Sequence, residues 1–238
     1  MADTARRMLE LHHLPNFAYA VDGTFAVFFD KPRRLPPGPV AQQYWCRKQK
    51  YAINCQIVSN DKFVYDVDVG WCGTTHDSRI WERSEVKMWI EDPQRRPYKI
   101  AGDRAYRITP VLMKPYTTAE TEGNVARTEF NAALSGLRTR MSENVYGRWK
   151  RRWPYVKAMR ADFEKSQKII VSTLCLHNLA TRWGEPDFDG SDESGDEEEE
   201  DNDFRDADGE VQRLAGRRVR EDFAQRRYDM LHKNPLKI

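Results

Sequence analysis

The sequence contains few cysteines and no arrangement of them that would build a disulfide framework or a zinc site. Four cysteines occur in 238 residues, at positions 46, 55, 72 and 175, and no two of them form a C-x-x-C pair. This spacing excludes a small disulfide-stapled scaffold and a cysteine-ligated zinc site. It predicts reduced thiols in an intracellular protein.

Long hydrophobic runs are also missing. No apolar stretch approaches the ~20 residues that a membrane-spanning helix needs, and the first residues lack the pattern of a secretory signal peptide. We therefore expect a soluble protein without a membrane partner, in the nucleus or the cytoplasm.

The net charge of +2 hides a strong segregation of charge along the chain. Residues 185–210 hold fifteen Asp or Glu and one Arg, a net charge of −14, so the remaining residues carry +16. A body this basic favours a polyanionic partner such as nucleic acid, although a solvated basic surface has the same composition. The acidic segment cannot bury a core and is predicted to be a disordered linker. Screening of the basic body and contact with basic chromatin proteins are alternative roles for it.

The order of the predicted elements indicates an α/β fold with a mixed sheet flanked by helices. Strand-like runs rich in β-branched and aromatic residues occupy 17–29, 51–60 and 62–71, and a shorter one ends near Asp103. A turn at Asn60 and Asp61 joins the second and third runs as a hairpin. Helical spacing follows, most clearly in two long segments, 124–153 and 163–183.

These patterns divide the chain into four parts. Residues 1–16 form an N-terminal leader, and residues 17–183 form one folded domain. Residues 184–210 form the disordered acidic linker, and residues 211–238 form a basic helical tail that is expected to be loosely attached.

Two aspartates stand where buried strands would ordinarily carry apolar residues. Asp22 interrupts the apolar run A-Y-A-V-D-G-T-F-A-V, and Asp103 ends the later strand. Active sites of α/β folds collect at strand ends, which makes both residues candidates. Each also fits a structural role: Asp22 could bond to backbone at a twisted or edge position, and Asp103 could form a turn or cap.

The long helical segment, 124–153, carries a third candidate acid, Glu143. At an ideal ~100° per residue, Glu143 shares an arc with Ala132, Gly136 and Gly147, nearly opposite the apolar stripe. Small residues on this arc would let the helix approach another backbone closely and would turn Glu143 inward. The same spacing also describes a solvent-facing glutamate, and by spacing alone the solvent-facing orientation is favoured.

Three carboxylates that converge repel one another unless a cation neutralises them. Oxygen-only ligands suit Mg²⁺ or Mn²⁺ rather than zinc. Two such ions can activate a water or a 3′-hydroxyl and stabilise the leaving oxygen in phosphodiester cleavage. Asp22, Asp103 and Glu143 therefore form a candidate metal-dependent catalytic set.

Five segments of the sequence, in order, are similar to the motifs of PIF/Harbinger-type transposases and the nucleases derived from them. They are V-D-G-T at 21–24, D-V-D-V-G-W-C-G-T-T-H-D-S-R-I-W at 66–81, K-I-A-G-D-R-A-Y at 99–106, R-T-R-M-S-E-N-V-Y-G-R-W-K-R-R-W at 138–153 and L-C-L-H-N-L at 174–179.

This resemblance implies an RNase H-like DDE endonuclease domain with Asp22, Asp103 and Glu143 as catalytic and metal-binding residues. Asp77, in the H-D-S-R segment, matches a family position as well. Capping of the following helix is the alternative role for Asp77, and the residues alone slightly favour it over metal ligation.

The implied reaction is two-metal cleavage of DNA. The implied partners are DNA, a separate Myb-like DNA-binding protein and a further copy of the chain. The basic residues expected to contact DNA are Arg47, Lys48, Arg140, Arg148, Lys150, Arg151 and Arg152.

A second function from a different class stays open. Only about twenty residues precede Asp22, where a Harbinger transposase carries a helix-turn-helix region. The alternative hypothesis is therefore a domesticated or truncated relative that is catalytically silent and binds DNA or chromatin proteins.

Overall fold

The computed structural model describes residues 1–92, 94, 97–187 and 207–233. Most of the predicted acidic linker falls on residues 188–206, outside the described residues. None of the described helices is long and apolar enough to span a membrane. The helices are α1 (Ala2–His12), α2 (Asp77–Trp81), α3 (Glu85–Glu91), α4 (Thr118–Thr121), α5 (Val125–Arg138), α6 (Asn144–Arg152), α7 (Phe163–Arg182) and α8 (Ala207–His232). The strands are β1 (Phe17–Val27), β2 (Trp45–Cys46), β3 (Lys50–Ser59), β4 (Val64–Cys72), β5 (Lys99–Ala101) and β6 (Leu112–Met113).

The sheet is mixed, as the order of the elements predicts. Its strand order is β2-β3-β1-β5-β6, with β4 paired to β3. The β1, β5 and β6 strands are parallel to one another, whereas β3 is antiparallel to β2 and to β4. The prediction of an α/β fold with a mixed sheet and flanking helices is confirmed.

The β3–β4 hairpin forms at the predicted turn. The side-chain Oδ1 of Asn60 accepts hydrogen bonds from the backbone N–H groups of Lys62 and Phe63, at 2.9 and 2.8 Å. An asparagine that accepts bonds from the backbone two and three residues ahead favours a tight turn at its own position. The hairpin therefore follows from local chemistry.

The contacts within the chain divide it into two compact units, and β1 contributes to both. The second unit comprises Asp22–Ser84 and the chain from Met141 onward through α6 and α7. Its core is formed by one face of β3 and one face each of α6 and α7. The central members of this core, all fully buried, are Ile53, Cys55, Ile57, Trp149 and Ile170.

The first unit comprises Met1–Val21, Glu85–Arg140 and the C-terminal helix. Residues 2–12 of the predicted N-terminal leader form α1, in which Met8 is fully buried. The apolar stripe of α5 is buried as predicted, at Phe130, Leu134 and Leu137. Gly136 lies against the ring of His12, where a Cβ atom would stand 3.2 Å from a ring carbon, so its neighbour is a side chain and not the backbone that the spacing predicted.

The C-terminal helix α8 is packed into the first unit rather than loosely attached. Phe223 makes an edge-to-face contact with Phe17, with ring centroids 5.8 Å apart. Gly216 lies against the backbone of Thr109, where a Cβ atom would stand 2.7 Å from a carbonyl carbon. The mostly polar sequence of α8 conceals this packing, because a few small and aromatic residues make the contact.

The helix predicted over 124–153 is interrupted in its middle. A π-helical segment, Thr139–Glu143, separates α5 from α6. The hydroxyl of Ser59, on β3, donates to the carbonyl of Met141 inside this segment. A side chain that binds a helix carbonyl is a recognised cause of such irregularity.

Candidate active site

Asp22 lies in the middle of β1 and is buried, with 7% of its surface exposed. Its Oδ1 accepts a hydrogen bond from the backbone N–H of Gly23 at 3.0 Å. Part of the structural role considered for this residue, a bond to nearby backbone, is therefore realised. The same carboxylate retains further acceptor capacity, because a carboxylate offers about four lone-pair sites.

Asp103 follows β5, which runs parallel to β1. The register pairs Ala20 with Ala101, so Asp22 and Asp103 each stand two residues beyond a paired position. Parallel neighbours in register present corresponding residues at the same edge of the sheet. Asp103 is half-buried, and its Oδ1 accepts from the backbone N–H of Ala105 at 2.9 Å, which makes it a turn residue as well.

Asp77 is the first residue of α2 and is buried. Its Oδ1 accepts a hydrogen bond at 2.9 Å from the side-chain amide of Asn54, which also donates to the carbonyl of Thr75 at 2.9 Å. Asn54 thus fixes both the loop before α2 and the carboxylate of Asp77. Sequence reasoning missed Asn54, although a polar amide within the apolar run Y-A-I-N-C-Q-I-V is a signal for such a role.

Three carboxylates come together in the described part of the chain. One oxygen from each of Asp22, Asp77 and Asp103 lies within 4.8 Å of the other two. Three negative charges at this spacing are unfavourable unless a cation compensates them. The all-oxygen donor set fits Mg²⁺ or Mn²⁺ in type, because hard cations take carboxylate oxygens as ligands.

Gly23 provides the room that this arrangement needs. A Cβ atom at position 23 would stand 2.5 Å from the carboxyl carbon of Asp77, closer than packed atoms allow. We therefore expect Gly23→Ala to displace Asp77 and to weaken Mn²⁺ binding by about tenfold or more, the scale found when a residue that orients a metal ligand is lost. Calorimetric titration with Mn²⁺ measures this affinity. Thr74→Ala, at an exposed position before α2, is the matched control, and equal affinities in the two variants would contradict the expectation.

Glu143 is exposed at the end of the π-helical segment, and it is not a member of the three-carboxylate group found among the described residues. The inward orientation argued from spacing assumed an ideal α-helix through position 143. A π-helix advances by less than 100° per residue, because its hydrogen bonds run from i to i+5. The projection therefore fails beyond Arg138, and the catalytic role of Glu143 stays a prediction.

Helix α6 is anchored to the sheet beside Asp22. The hydroxyl of Tyr146 donates to the carbonyl of Ile57 at 3.0 Å and lies 3.4 Å from the carbonyl oxygen of Asp22. The ammonium group of Lys150 donates to the hydroxyl of Thr24 at 2.6 Å. Lys150 was predicted to contact DNA. Its bond to Thr24, two residues after Asp22 on β1, places the ammonium group beside this part of the strand.

Among the other residues predicted to contact DNA, Arg47, Lys48 and Arg140 are exposed, and Arg151 is half-buried. The guanidinium of Arg47 lies 5.8 Å from the ring centroid of Phe25, on β1. Exposure leaves Arg47, Lys48 and Arg140 accessible to a ligand, and the role of all four residues in DNA binding stays a prediction.

Arg148 and Arg152, one helical turn apart on α6, both face Asp187. Their guanidinium nitrogens lie 4.0 Å from its carboxylate oxygens. Arg152 also donates to the carbonyl of Pro186 at 3.0 Å, and Arg148 donates to the carbonyl of Asp61 at 3.1 Å. The first residues of the acidic segment therefore lie on part of the predicted DNA-binding surface.

His177 is fully buried beside these arginines, and no described side chain or backbone group bonds to either ring nitrogen. Burial lowers the pKa of His177 to about 4, and the charges of Arg148 and Arg152 act in the same direction, against Asp187. The imidazole is therefore neutral in the folded protein at pH 6, whereas in the unfolded chain it titrates near ~6.5.

This difference predicts a stability that falls with acid. The contribution is complete above pH ~6.5 and is lost as the pH falls toward 4, because the unfolded chain binds the proton first. It amounts to at most about 3 kcal/mol. Denaturant unfolding at pH 7 and pH 4.5 should show a smaller loss of unfolding free energy in His177→Gln than in the wild type. An identical loss in the two proteins would rule out this role for His177.

A family model for the DDE superfamily endonucleases matches residues 21–178, more than half of the chain. Neither the comparison with curated proteins nor the comparison with solved structures gives a match. The matched region begins next to Asp22, contains Asp77 and Asp103, and ends at Asn178, so it covers the whole three-carboxylate group. The chain belongs to the DDE superfamily endonuclease family.

Proposed function

We propose that the protein is a metal-dependent DNA endonuclease of the transposase type, which cleaves phosphodiester bonds by a two-metal mechanism. The observation that carries this proposal is the proximity of the carboxylates of Asp22, Asp77 and Asp103, with one oxygen of each within 4.8 Å of the others. Membership of the endonuclease family supports it independently.

In this proposal Asp22 and Asp103 hold the divalent cation from two neighbouring strands, and Asn54 orients Asp77 as a third ligand. When bound, Mg²⁺ or Mn²⁺ would lower the pKa of a bound water and stabilise the leaving oxygen. The protein needs no nucleophilic side chain of its own. Glu143, exposed at the end of the π-helical segment, is proposed as a further carboxylate that acts when DNA is bound.

The proposed DNA path follows the basic residues of α6. Arg148, Lys150 and Arg152 lie on the helix that is anchored next to Asp22 through Tyr146 and Lys150. Arginine and lysine contacts to phosphates position a duplex without reading its sequence. Such contacts would hold the backbone beside the carboxylates.

Four finer assignments belong to the same proposal and rest on the sequence motifs. They are membership of the PIF/Harbinger group, an RNase H-like topology, a nuclear location and a separate Myb-like protein that supplies target recognition. Self-association is proposed on the same basis. Co-purification of the full chain with candidate Myb-like proteins would test the partnership.

A plasmid nicking assay tests the proposed activity. We expect supercoiled DNA to be relaxed by the wild-type protein in Mg²⁺ or Mn²⁺ and to stay intact when EDTA is present. Absence of nicking in either metal, with DNA binding intact, would overturn the enzymatic proposal in favour of a catalytically silent binding protein.

The contact of Asp187 with α6 predicts that this aspartate opposes DNA binding. Asp187→Asn should raise the affinity for duplex DNA by up to about fivefold at low salt, since an exposed ion pair contributes less than about 1 kcal/mol. The gain should shrink as salt is added. Fluorescence anisotropy at two salt concentrations measures it. Glu164→Gln removes the same charge from an exposed position of α7, and an equal gain there would contradict a specific role for Asp187.

A further inference from the structure

A cavity of about 410 Å³ opens in the second unit beyond the last residue of β1. Its walls include Phe29, Trp45, Tyr51 and three lysines. At ~3.3 Å per residue, the end of β1 at Val27 lies about 17 Å along the strand from Asp22. The cavity is therefore separate from the carboxylate group, although the same strand leads to both.

Two aromatic rings at this cavity are exposed and yet held in place. Trp45, 46% exposed, is the cross-strand partner of Tyr51, and their rings meet edge to face with centroids 4.9 Å apart. Phe29, 55% exposed, has the guanidinium of Arg160 3.9 Å from its ring centroid. Large aromatic side chains usually bury most of their surface, and Arg160 covers one face of Phe29, so the exposed ring of Trp45 is the surface best suited to stacking.

The charge of the cavity is positive. Lys31, Lys50 and Lys157 contribute to its walls, against the single carboxylate of Asp30. All three lysines are exposed. Aromatic rings combined with a basic groove are the features by which proteins hold single-stranded nucleic acid, the bases stacking on the rings and the phosphates meeting the lysines.

We propose that this cavity binds a nucleotide of single-stranded DNA, with its base stacked on Trp45 and its phosphates near Lys31, Lys50 and Lys157. The volume is within the range of pockets that take ligands of this size. Stacking on an aromatic ring does not depend on the identity of the base, so the site would accept many sequences. The identification of the strand as DNA rests on the proposed endonuclease function.

The test measures binding in the absence of divalent metal, so that no cleavage contributes. Fluorescein-labelled oligothymidine of twelve nucleotides is titrated with the full-length protein, and anisotropy is recorded. We expect Trp45→Ala to weaken this binding by about fivefold or more, the effect of losing one stacked base. Trp45→Phe should keep most of the wild-type affinity for oligothymidine, because phenylalanine retains an aromatic face.

A second variant does not depend on the packing of Trp45. Lys50→Gln should reduce the salt dependence of single-strand binding, lowering the slope of log affinity against log salt by about 0.7. Lys165→Gln, at an exposed position on α7, is the matched control and should leave the slope unchanged. Thermal unfolding of each variant establishes that it is folded.

The outcomes separate this proposal from the proposed nuclease activity. Equal affinities of wild type and folded Trp45→Ala for oligothymidine would overturn the proposal. It would also be overturned if a poly-glutamate peptide displaced the labelled strand at a lower concentration than unlabelled oligothymidine does. Loss of strand binding in Trp45→Ala, together with Mn²⁺ affinity unchanged from wild type, would support it. If the protein does not nick DNA but still binds oligothymidine in a Trp45-dependent way, the proposed nuclease activity is refuted and the proposed binding site is not.

Discussion

Asp103→Asn is expected to lower metal-dependent nicking of plasmid DNA by at least about 100-fold. Asparagine has nearly the size of aspartate, and its side-chain oxygen can still accept the hydrogen bond from the backbone N–H of Ala105. The substitution nevertheless removes one of three clustered carboxylates. Loss of a residue that only orients a metal ligand typically lowers metal affinity or activity by about 10- to 100-fold, so loss of a direct ligand should lower activity by at least about as much. Nicking rates in Mg²⁺ and in Mn²⁺, with protein in excess, measure the effect.

Asp3→Asn serves as the matched control, because Asp3 is exposed on α1 and its side chain is 85% accessible. The control should nick at the wild-type rate. Equal nicking by Asp103→Asn and the wild type would refute the assignment of the carboxylates.

The same assay, combined with Mn²⁺ titration, distinguishes Asp77 from Glu143. In the absence of DNA we expect Asp77→Asn to weaken Mn²⁺ binding, because Asp77 belongs to the carboxylate group. Glu143→Gln should leave Mn²⁺ binding nearly unchanged and should affect nicking only. The reverse pattern would favour the triad that the sequence predicts, Asp22, Asp103 and Glu143, as the metal-binding set of the free protein.

Arg220→Ala is expected to destabilise the protein by about 3 kcal/mol, at the upper end of the usual range for single substitutions, since it removes a buried side chain and its hydrogen bonds to Glu120 and Pro115. The side chain of Arg220 is 3% exposed, and its guanidinium donates to Glu120 at 2.7 Å and to the carbonyl of Pro115 at 3.0 Å. The same group lies 3.7 Å from the ring centroid of Tyr116, a further stabilising contact. Thermal unfolding should show a midpoint lowered by roughly 6–12 °C.

Arg226→Ala is the control for this substitution. Arg226 lies on the same helix, its side chain is 76% exposed, and it forms an ion pair with Asp222, one helical turn away. Such pairs contribute about 0.5 kcal/mol or less. Equal shifts in the midpoint for the two variants would mean that α8 is not anchored through Arg220.

The sequence was sufficient to predict the strands that carry the site. Alternating and apolar runs marked β1, β3 and β4, and the Asn60 turn fixed the hairpin. Asp22 and Asp103 stood out because each interrupts or ends a strand in which a carboxylate is costly. Local patterns of this kind survive folding, because neighbouring residues impose them.

The features that sequence could not supply depend on contacts between distant residues. The bond from Ser59 to the Met141 carbonyl accompanies the π-helical segment that rotates Glu143 away from its projected direction. The bond from Asn54 to Asp77 joins positions 23 residues apart. Neither pairing leaves a periodic trace in the sequence.

The attachment of α8 was missed for a related reason. Its sequence is mostly polar and basic, and hydrophobic spacing is the usual signal for packing. Here a buried arginine and a close glycine contact hold the helix, through Arg220 and Gly216. The sequence does not show that Arg220 contacts Glu120 and Tyr116, because these residues lie about 100 positions away and meet only in the folded chain.

A crystal of the full-length protein soaked in Mn²⁺ gives the most direct test of the carboxylate site. We expect an anomalous-scattering peak surrounded by carboxylate oxygens of Asp22, Asp77 and Asp103, and we expect this peak to disappear in Asp103→Asn. Mn²⁺ bound elsewhere, or no ordered Mn²⁺ beside Asp22 and Asp103, would contradict it.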